Sequence, residues 1–331
     1  MTTPPLYTRS KRHFQMATIS PFLHTTPLPG RGLGTLATAP MPRGTRLIAD
    51  PPVLAATARE MLNEDVLRAR IVAAYAALDD AQRDRVRGLA ADPAALARWR
   101  RVFEGEEAVA RGWGAEGTGH VGGLGVEEKA HVMGAWNTNC FGVGLGESRE
   151  GWVAVVAPSA ARLNHSCRPN AVFAWNDTVG AITVQAIRDI GMGEEVTIAY
   201  VDVVRKGERR RRALSEGYGF DCGCEACVGG GEEGEKMRGR IEKLRAWLEK
   251  RAERSMVEED EKVRARELVD KGVKLHERAG LMGVHLADFY QAANTVTGDR
   301  QYLEQELCVR SYCLGDDHTQ VQRLKQRLAD L

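Results

Sequence analysis

Three cysteines stand within the short segment "DCGCEAC": Cys222, Cys224 and Cys227. The pattern is Cys-x-Cys-x2-Cys. Thiolates bind zinc tetrahedrally, and ligands this close in sequence converge on one ion without long loops. A closed structural zinc site takes four protein ligands. The remaining candidates are Cys167, Cys140, Cys308, Cys313 and the histidines. Cys308 and Cys313 fall in apolar helical segments, where a free cysteine is usually a small core residue. Cys140, between Asn139 and Phe141, reads the same way. Cys167 sits instead in "RLNHSCRPNA", residues 162–171, directly after Asn164, His165 and Ser166. An amide, an imidazole and a thiol side by side, outside any clear periodicity, read either as a polar turn or as a binding loop. If Cys167 is the fourth ligand, one ion ties that loop to the cysteine-rich tail.

The chain that must position these groups has 331 residues, 43% of them apolar, and a net charge of +1. The length suggests two domains, or one core with appendages. The apolar fraction is enough for a buried core. The near-neutral balance argues against bulk attraction to nucleic acid. Local charge is uneven: Arg9, Lys11, Arg12, Arg31, Arg43 and Arg46 all precede the first acid, Asp50. Pro4, Pro5, Pro21, Pro27 and Pro29 interrupt the same stretch. Residues 1–17 therefore read as a disordered lead rather than an amphipathic presequence. No apolar run is long enough for a signal-peptide core or a membrane span, so a soluble, intracellular protein with reduced cysteines is expected. Arg209 to Arg212 read as the solvated face of a helix, with a nucleic-acid patch as the alternative.

The pattern of elements is mixed, which makes the fold class α+β. Short apolar groups punctuated by Gly and Pro mark strands after about residue 18. Met61, Leu62, Val66, Leu67, Ile71 and Tyr75 stand at helical spacing, and Asp92 followed by Pro93 reads as an N-cap and first turn. Residues 112–125 form a glycine-rich loop that reads as mobile. Strands are expected at 152–158, 171–176, 181–187 and 194–201, and "GGGEEGE" at 229–235 reads as a linker. Beyond it Met237, Ile241, Leu244 and Leu248 share one helix face. The later helices have about the length of tetratricopeptide (TPR) helices, without a clean repeat.

"RLNHSCRPNA", "GEEVTIAYVD" and "YGFDCGCEAC", in that order, with "RGLG" and "TNCF" upstream, resemble a SET domain with its post-SET zinc site. The nearest likeness is to the SMYD branch of protein-lysine methyltransferases and its fungal relatives, over residues 20–228. The resemblance implies small curled β-sheets with a pseudoknot. It divides the chain into a SET N-terminal part (18–58), a helical insertion (59–130), the SET core (131–204), a post-SET zinc region (205–230) and a C-terminal helical, TPR-like domain (235–331). It implies methyl transfer from S-adenosylmethionine (SAM) to a lysine of a histone or other protein. Arg31, Leu33, Gly34, Asn139, Asn164, His165, Tyr200 and Phe220 would bind SAM, with Asn164 and His165 acting largely through backbone and amide. Tyr200 and Tyr218 would be catalytic, and Phe141, Tyr200 and Tyr218 would line the lysine channel. Cys167, Cys222, Cys224 and Cys227 would hold zinc. The implied protein is a monomer of the nucleus or cytoplasm, with no membrane or nucleic-acid partner.

Two features depart from the branch. No cysteine precedes Cys140, so there is no MYND zinc finger, and Leu33 stands where many relatives carry a polar residue. They motivate an alternative, a catalytically weak SET-fold interaction module. The chemistry itself asks little beyond alignment and exclusion of water. A lysine, with a free pKa near ~10.4, must be neutral to attack, and a narrow apolar channel disfavours its ammonium form by desolvation.

Overall fold

Strand "AITVQA" has all six side chains buried, because the sheet it centres is covered on both faces. The computed structural model describes residues 17–112, 123–144, 152–229, 231–254 and 256–331. The lead (but for Ala17) and the middle of the 112–125 loop lie outside the described residues. Five strands come first: β1 (Thr18–Ile19), β2 (Leu23–Leu28), β3 (Gly32–Ala37), β4 (Arg46–Asp50) and β5 (Leu54–Thr57). Helices α1 (Ala58–Met61), α2 (Glu64–Ala76), α3 (Asp80–Arg87), α4 (Pro93–Gly112) and α5 (Val126–Asn139) follow. Then come β6 (Cys140–Gly144), β7 (Trp152–Val156), a 3-10 turn (Ala160–Arg162), β8 (Asn164–His165), β9 (Ala171–Asn176), β10 (Ala181–Ala186) and β11 (Glu195–Ile198). The chain closes with α6 (Gly207–Tyr218), α7 (Glu225–Val228), α8 (Gly231–Ala252), α9 (Glu259–Ala279), α10 (Val284–Thr297), α11 (Arg300–Leu314) and α12 (Thr319–Ala329).

The strands form three small sheets, ordered β1-β4-β10-β9, β2-β3-β11-β8 and β5-β7-β6. The central core joins Leu47, Ile48, Ile182, Val184, Val196 and Ile198 to Phe141, Val155 and Leu163. Ile182 and Val184 face this core. The other face of the β9–β10 pair, through Val172 and Ala174, packs on Leu286, Phe289, Val309 and Cys313 of α10 and α11. Burial on both faces explains why β10 reads as a continuous run rather than an alternation.

Helices α1–α5 have a core of their own. Ile71, Val72, Tyr75, Trp99, Phe103, Met133 and Trp136 pack on Leu54, Ala56, Ala154 and Val156 of β5 and β7. Asp92 caps α4, accepting from the Ala95 amide at 2.8 Å. The first helical stretch differs from the reading of one continuous face. Asn63 accepts from the amides of Asp65 and Val66 and starts a new helix. Met61, Leu62 and Val66 therefore lie exposed.

The 229–235 segment is a second difference. From Gly231 it is the first turn of α8 rather than a linker. Glu235 fixes that turn by accepting from the Gly207 amide at 2.5 Å and from Arg210 at 2.8 Å. Asp317, between α11 and α12, takes both guanidinium nitrogens of Arg46 and the amide of Asn176. The C-terminal helices are thereby bolted to β4 and β9. Among the described residues no helix is long and apolar enough to cross a membrane.

Candidate active site and metal centre

The polar stretch begins as a strand. Asn164 and His165 pair in parallel with Thr197 and Ile198 of β11, and the Ser166 amide extends the ladder to the Ile198 carbonyl at 3.0 Å. Its far end is stapled by buried Asn170. That side chain donates to Glu194 Oε1 and the Glu195 carbonyl, both at 2.8 Å, and accepts from the Thr197 amide at 2.8 Å. Held at both ends, the intervening residues have little freedom.

A charged cluster joins this strand to the early turn. Asn164 Nδ2 donates to the Leu33 carbonyl at 3.1 Å and to Glu195 Oε1 at 2.9 Å. Arg31 Nη1 meets Glu195 Oε2 at 2.5 Å, and Nη2 donates to the His165 carbonyl at 3.1 Å. Gly34 sits behind the cluster. A Cβ there would fall 2.3 Å from Leu28 Cδ1, 2.8 Å from Glu195 Oε1 and 2.9 Å from Asn164 Nδ2. Glycine is needed for close approach.

His165 is buried, and its imidazole turns inward. Nδ1 accepts from the Tyr200 amide at 3.0 Å, and Nε2 lies 3.2 Å from Cys167 Sγ. Since Nδ1 is an acceptor, the neutral tautomer carries its proton on Nε2, aimed at the sulfur. Burial pushes the His165 pKa down to about 4, so the ring is neutral at physiological pH.

Two cavities meet over this strand. The larger, about 660 Å³, is lined by Arg31, Leu33, Asn139, Asn164, His165, Tyr200, Tyr218 and Phe220. Gly34 is not part of this lining. Gly88, Leu89 and Ala90 from the end of α3, with Arg162, complete one wall. The smaller, about 110 Å³, is lined by Phe141, Phe173, Cys140 and Leu163, and shares Asn139, Tyr200 and Tyr218 with the first. The two tyrosines stand at the junction with ring centroids 4.9 Å apart. Tyr200 donates its hydroxyl to the Leu163 carbonyl at 2.7 Å. Burial raises the pKa of both phenols, so both stay protonated. Phe141 and Phe173 pack edge to face at 4.8 Å. Asn139 lines both cavities, but its amide donates to the carbonyls of Ala90 (2.7 Å) and Ala135 (2.8 Å).

Cys167, Cys222, Cys224 and Cys227 converge, with all four sulfurs within 4.8 Å of one another. A tetrahedral zinc with bonds of ~2.3 Å sets its sulfurs ~3.8 Å apart. Cys167 and Cys227 are 3.6 Å apart, so the cluster fits the ion. The other three cysteines, Cys140, Cys308 and Cys313, stand apart from it. Three of these thiols, Cys167, Cys222 and Cys224, conflict over their protons. Hydrogen bonds from Cys167 and Cys222 lower the Cys224 pKa, while hydrogen bonding to Cys222 and Cys224 raises that of Cys167. A divalent cation removes the conflict.

Two buried arginines surround the cluster. Arg210 Nε lies 3.3 Å from Cys167 Sγ, and its Nη1 donates to the Arg205 carbonyl at 2.5 Å. Arg238 of α8 donates to the Cys167 carbonyl at 2.9 Å and to the Val203 carbonyl. The run Arg209–Arg212 is therefore split. Arg210 points into the protein and the other three are exposed. Glu195, Asn170 and Arg162 have no role in the sequence reading, and Arg210, expected on a solvated face, is buried. The only signals were the Asn at the end of "RPN" and the Glu pair before "VTIAY".

The SET domain family profile matches residues 32–201. The chain is 25% identical over 201 residues to a histone-lysine N-methyltransferase, set5, of Schizosaccharomyces pombe, covering 61% of this chain and 49% of that protein. It is 39% identical over 89 residues to the human histone-lysine N-methyltransferase SMYD3, covering 27% of this chain and 20% of the human protein. The matched segments thus span half or less of these relatives. Among solved structures, the SET domain of LSMT bound to lysine and AdoHcy aligns over 95% of this chain and 88% of that one, at 10% identity and a TM-score of 0.40.

Proposed function

The chain belongs to the SET domain family, and from that premise we propose that it transfers a methyl group from SAM to a lysine side chain of a protein. The observation that carries this reading is the junction of the two cavities at Tyr200 and Tyr218. One cavity has the size of a nucleoside-bearing ligand and the other is narrow and aromatic-walled. A bound SAM supplies an electrophilic methyl on a positively charged sulfur.

The chain's own residues align and desolvate. Asn164 and the backbone of 31–33 and 164–165 hold the methionine end, and Phe220 covers the adenosine side. Gly34 contributes by its lack of a side chain, which lets Asn164 reach the Leu33 carbonyl. Phe141, Phe173 and the two tyrosines enclose the lysine, disfavour its ammonium form by desolvation and exclude water. Tyr200, protonated and held on the Leu163 carbonyl, fixes the channel floor. Positioning of this kind supplies on the order of 7–11 kcal/mol of a barrier. Tyr218 and Phe220 lie at the end of α6 and just beyond it, next to the cysteine cluster. A zinc ion held by Cys167, Cys222, Cys224 and Cys227 fixes that tail against the polar loop.

The same reading assigns the chain to a SMYD-like branch without a MYND finger, with the domain boundaries given above. On this reading it acts as a monomer in the nucleus or cytoplasm. The test is transfer of labelled methyl from SAM to lysines of a histone and mixed-protein panel, with Tyr200→Phe beside the wild type. Lysine labelling that disappears in the variant supports the reading. A zinc-loaded protein that binds no SAM rejects it. One that binds SAM yet labels nothing in the panel favours the interaction-module reading.

A further inference from the structure

Two guanidinium groups lie in the interior beside the cysteine cluster. Arg210 and Arg238 are 1% and 3% exposed, and a guanidinium stays charged wherever the fold puts it. Arg238 makes no ion pair with any described residue; it donates to the carbonyls of Cys167 and Val203. Arg210 pairs with Glu235 at 2.8 Å. That carboxylate is partly exposed, stands in the first turn of α8 and also accepts from the Gly207 amide at the start of α6. Helix N-termini already favour its charge. Two buried cations are thus left with little negative charge, and such cations cost free energy unless they are compensated.

The cysteines can supply the compensation. Four neutral thiols carry no charge, whereas four thiolates on one divalent ion carry a net charge of −2. Cys167 is the most buried of the four, at 0% exposure, so no water can solvate its sulfur. Protein donors stand there instead. Arg210 Nε lies 3.3 Å from the Cys167 Sγ, and His165 Nε2 lies 3.2 Å from it. The other two nitrogens of Arg210 are fixed, Nη1 on the Arg205 carbonyl at 2.5 Å and Nη2 on Glu235. The Nε–H is therefore held on the sulfur. Arg210, Leu214 and Tyr218 stand four residues apart on one face of α6, and Leu214 and Tyr218 pack in the cysteine cluster. The helix that gives the guanidinium to the sulfur gives Tyr218 to the cavity junction two turns later.

We propose that Arg210 is a positioning residue of the metal centre. It holds the buried Cys167 sulfur on the ion and, with Arg238, supplies the counter-charge that lets a dianionic zinc tetrathiolate sit inside the protein. The assignment rests on the zinc reading of the four cysteines and does not depend on methyl transfer.

The test is cobalt substitution of the full chain, as wild type, Arg210→Met, Arg210→Lys and Glu235→Gln, with zinc transfer to a chromogenic chelator measured beside it. The intensity of the visible cobalt bands reports tetrahedral coordination. The sulfur-to-cobalt charge-transfer band reports electron density on the thiolates. Arg210→Met is expected to keep the tetrahedral bands, move the charge-transfer band to longer wavelength and weaken zinc binding by about ten- to a hundredfold, the range for losing a partner of a metal ligand. Arg210→Lys should shift the band less and recover part of the affinity. Glu235→Gln removes a negative charge and should move the band to shorter wavelength. Unchanged affinity and band position in Arg210→Met overturn the proposal. Weaker binding with an unmoved band also overturns it, since it marks a structural role. Should Arg210→Met fail to fold, the other two variants decide: opposite shifts support the proposal, and shifts of one sign, or none, overturn it. A folded wild type that binds neither zinc nor cobalt overturns the metal reading and this assignment with it.

Discussion

Tyr200 is held from two sides: its amide donates to His165 Nδ1 and its hydroxyl to the Leu163 carbonyl. Removing the hydroxyl keeps the ring in place but frees the end that borders the channel. Tyr200→Phe should lower kcat by about a hundredfold, the usual scale for losing one positioned donor, and leave SAM affinity nearly unchanged, as steady-state kinetics and calorimetry would show. Gly34→Ala should do the reverse. Its Cβ collides with Leu28, Glu195 and Asn164, and overpacking of this kind costs about 1–3 kcal/mol. SAM affinity should fall, and a fluorescence-monitored melt should shift down with it. At this scale the cysteines and "NHSC" were legible because such juxtapositions are rare outside sites. Glu195, Asn170 and Arg162 were not, because carboxylates, amides and guanidinium groups are ordinary surface residues until the fold turns them inward. Gly34 was legible as important, but as a contact to cofactor rather than as room for Asn164.

Several elements depend on a single buried side chain. Asp50, at the end of β4, accepts from the amides of Ser159 (2.6 Å) and Ala160 (3.2 Å) and pairs with Arg85 of α3 at 2.7 Å. It fixes both the turn that leads into Asn164 and the insertion above it. Asp50→Ala should cost about 1–3 kcal/mol, the range for leaving buried donors unsatisfied, measured as a drop in urea midpoint. In α9, buried His276 donates to the Gly272 carbonyl at 2.8 Å, and burial pushes its pKa down to about 4. The unfolded chain therefore binds this proton first as pH falls. The stability it protects is complete above about pH 6.5 and is lost progressively towards pH 4, by roughly 3 kcal/mol. Urea midpoints across that range should fall, and His276→Leu should flatten the fall. Strand β9 covers the 171–176 stretch that its pattern marks. The start of α2 and the "GGGEEGE" turn were not legible. Asn63 and Glu235 decide them through hydrogen bonds, one local and one reaching across to α6, and hydrophobic spacing carries no trace of either.

Across the whole molecule, the cysteine cluster is where separate parts meet. Cys167 belongs to the polar loop, the other three to the tail after α6, and Arg238 of α8 reaches in to the Cys167 carbonyl. A zinc ion there would tie the loop, the tail and the C-terminal helices together. Prolonged chelation should release one zinc per chain, lower thermal stability and weaken SAM binding in step, followed by metal assay and calorimetry. Release of metal with SAM affinity intact would separate the tail from the site. The mixed architecture and the C-terminal helices could be anticipated from patterning. The two-sided burial of β10 could not, because it depends on α11 returning to a sheet laid down more than a hundred residues earlier. The central claim is that the cofactor lies on the strand formed by Asn164 and His165. Its most direct test is calorimetric titration of SAM into the zinc-loaded protein beside Asn164→Ala. The account predicts one site per chain in the wild type and lost or severely weakened binding in the variant. No binding to the folded wild type, or equal binding to both, would contradict it.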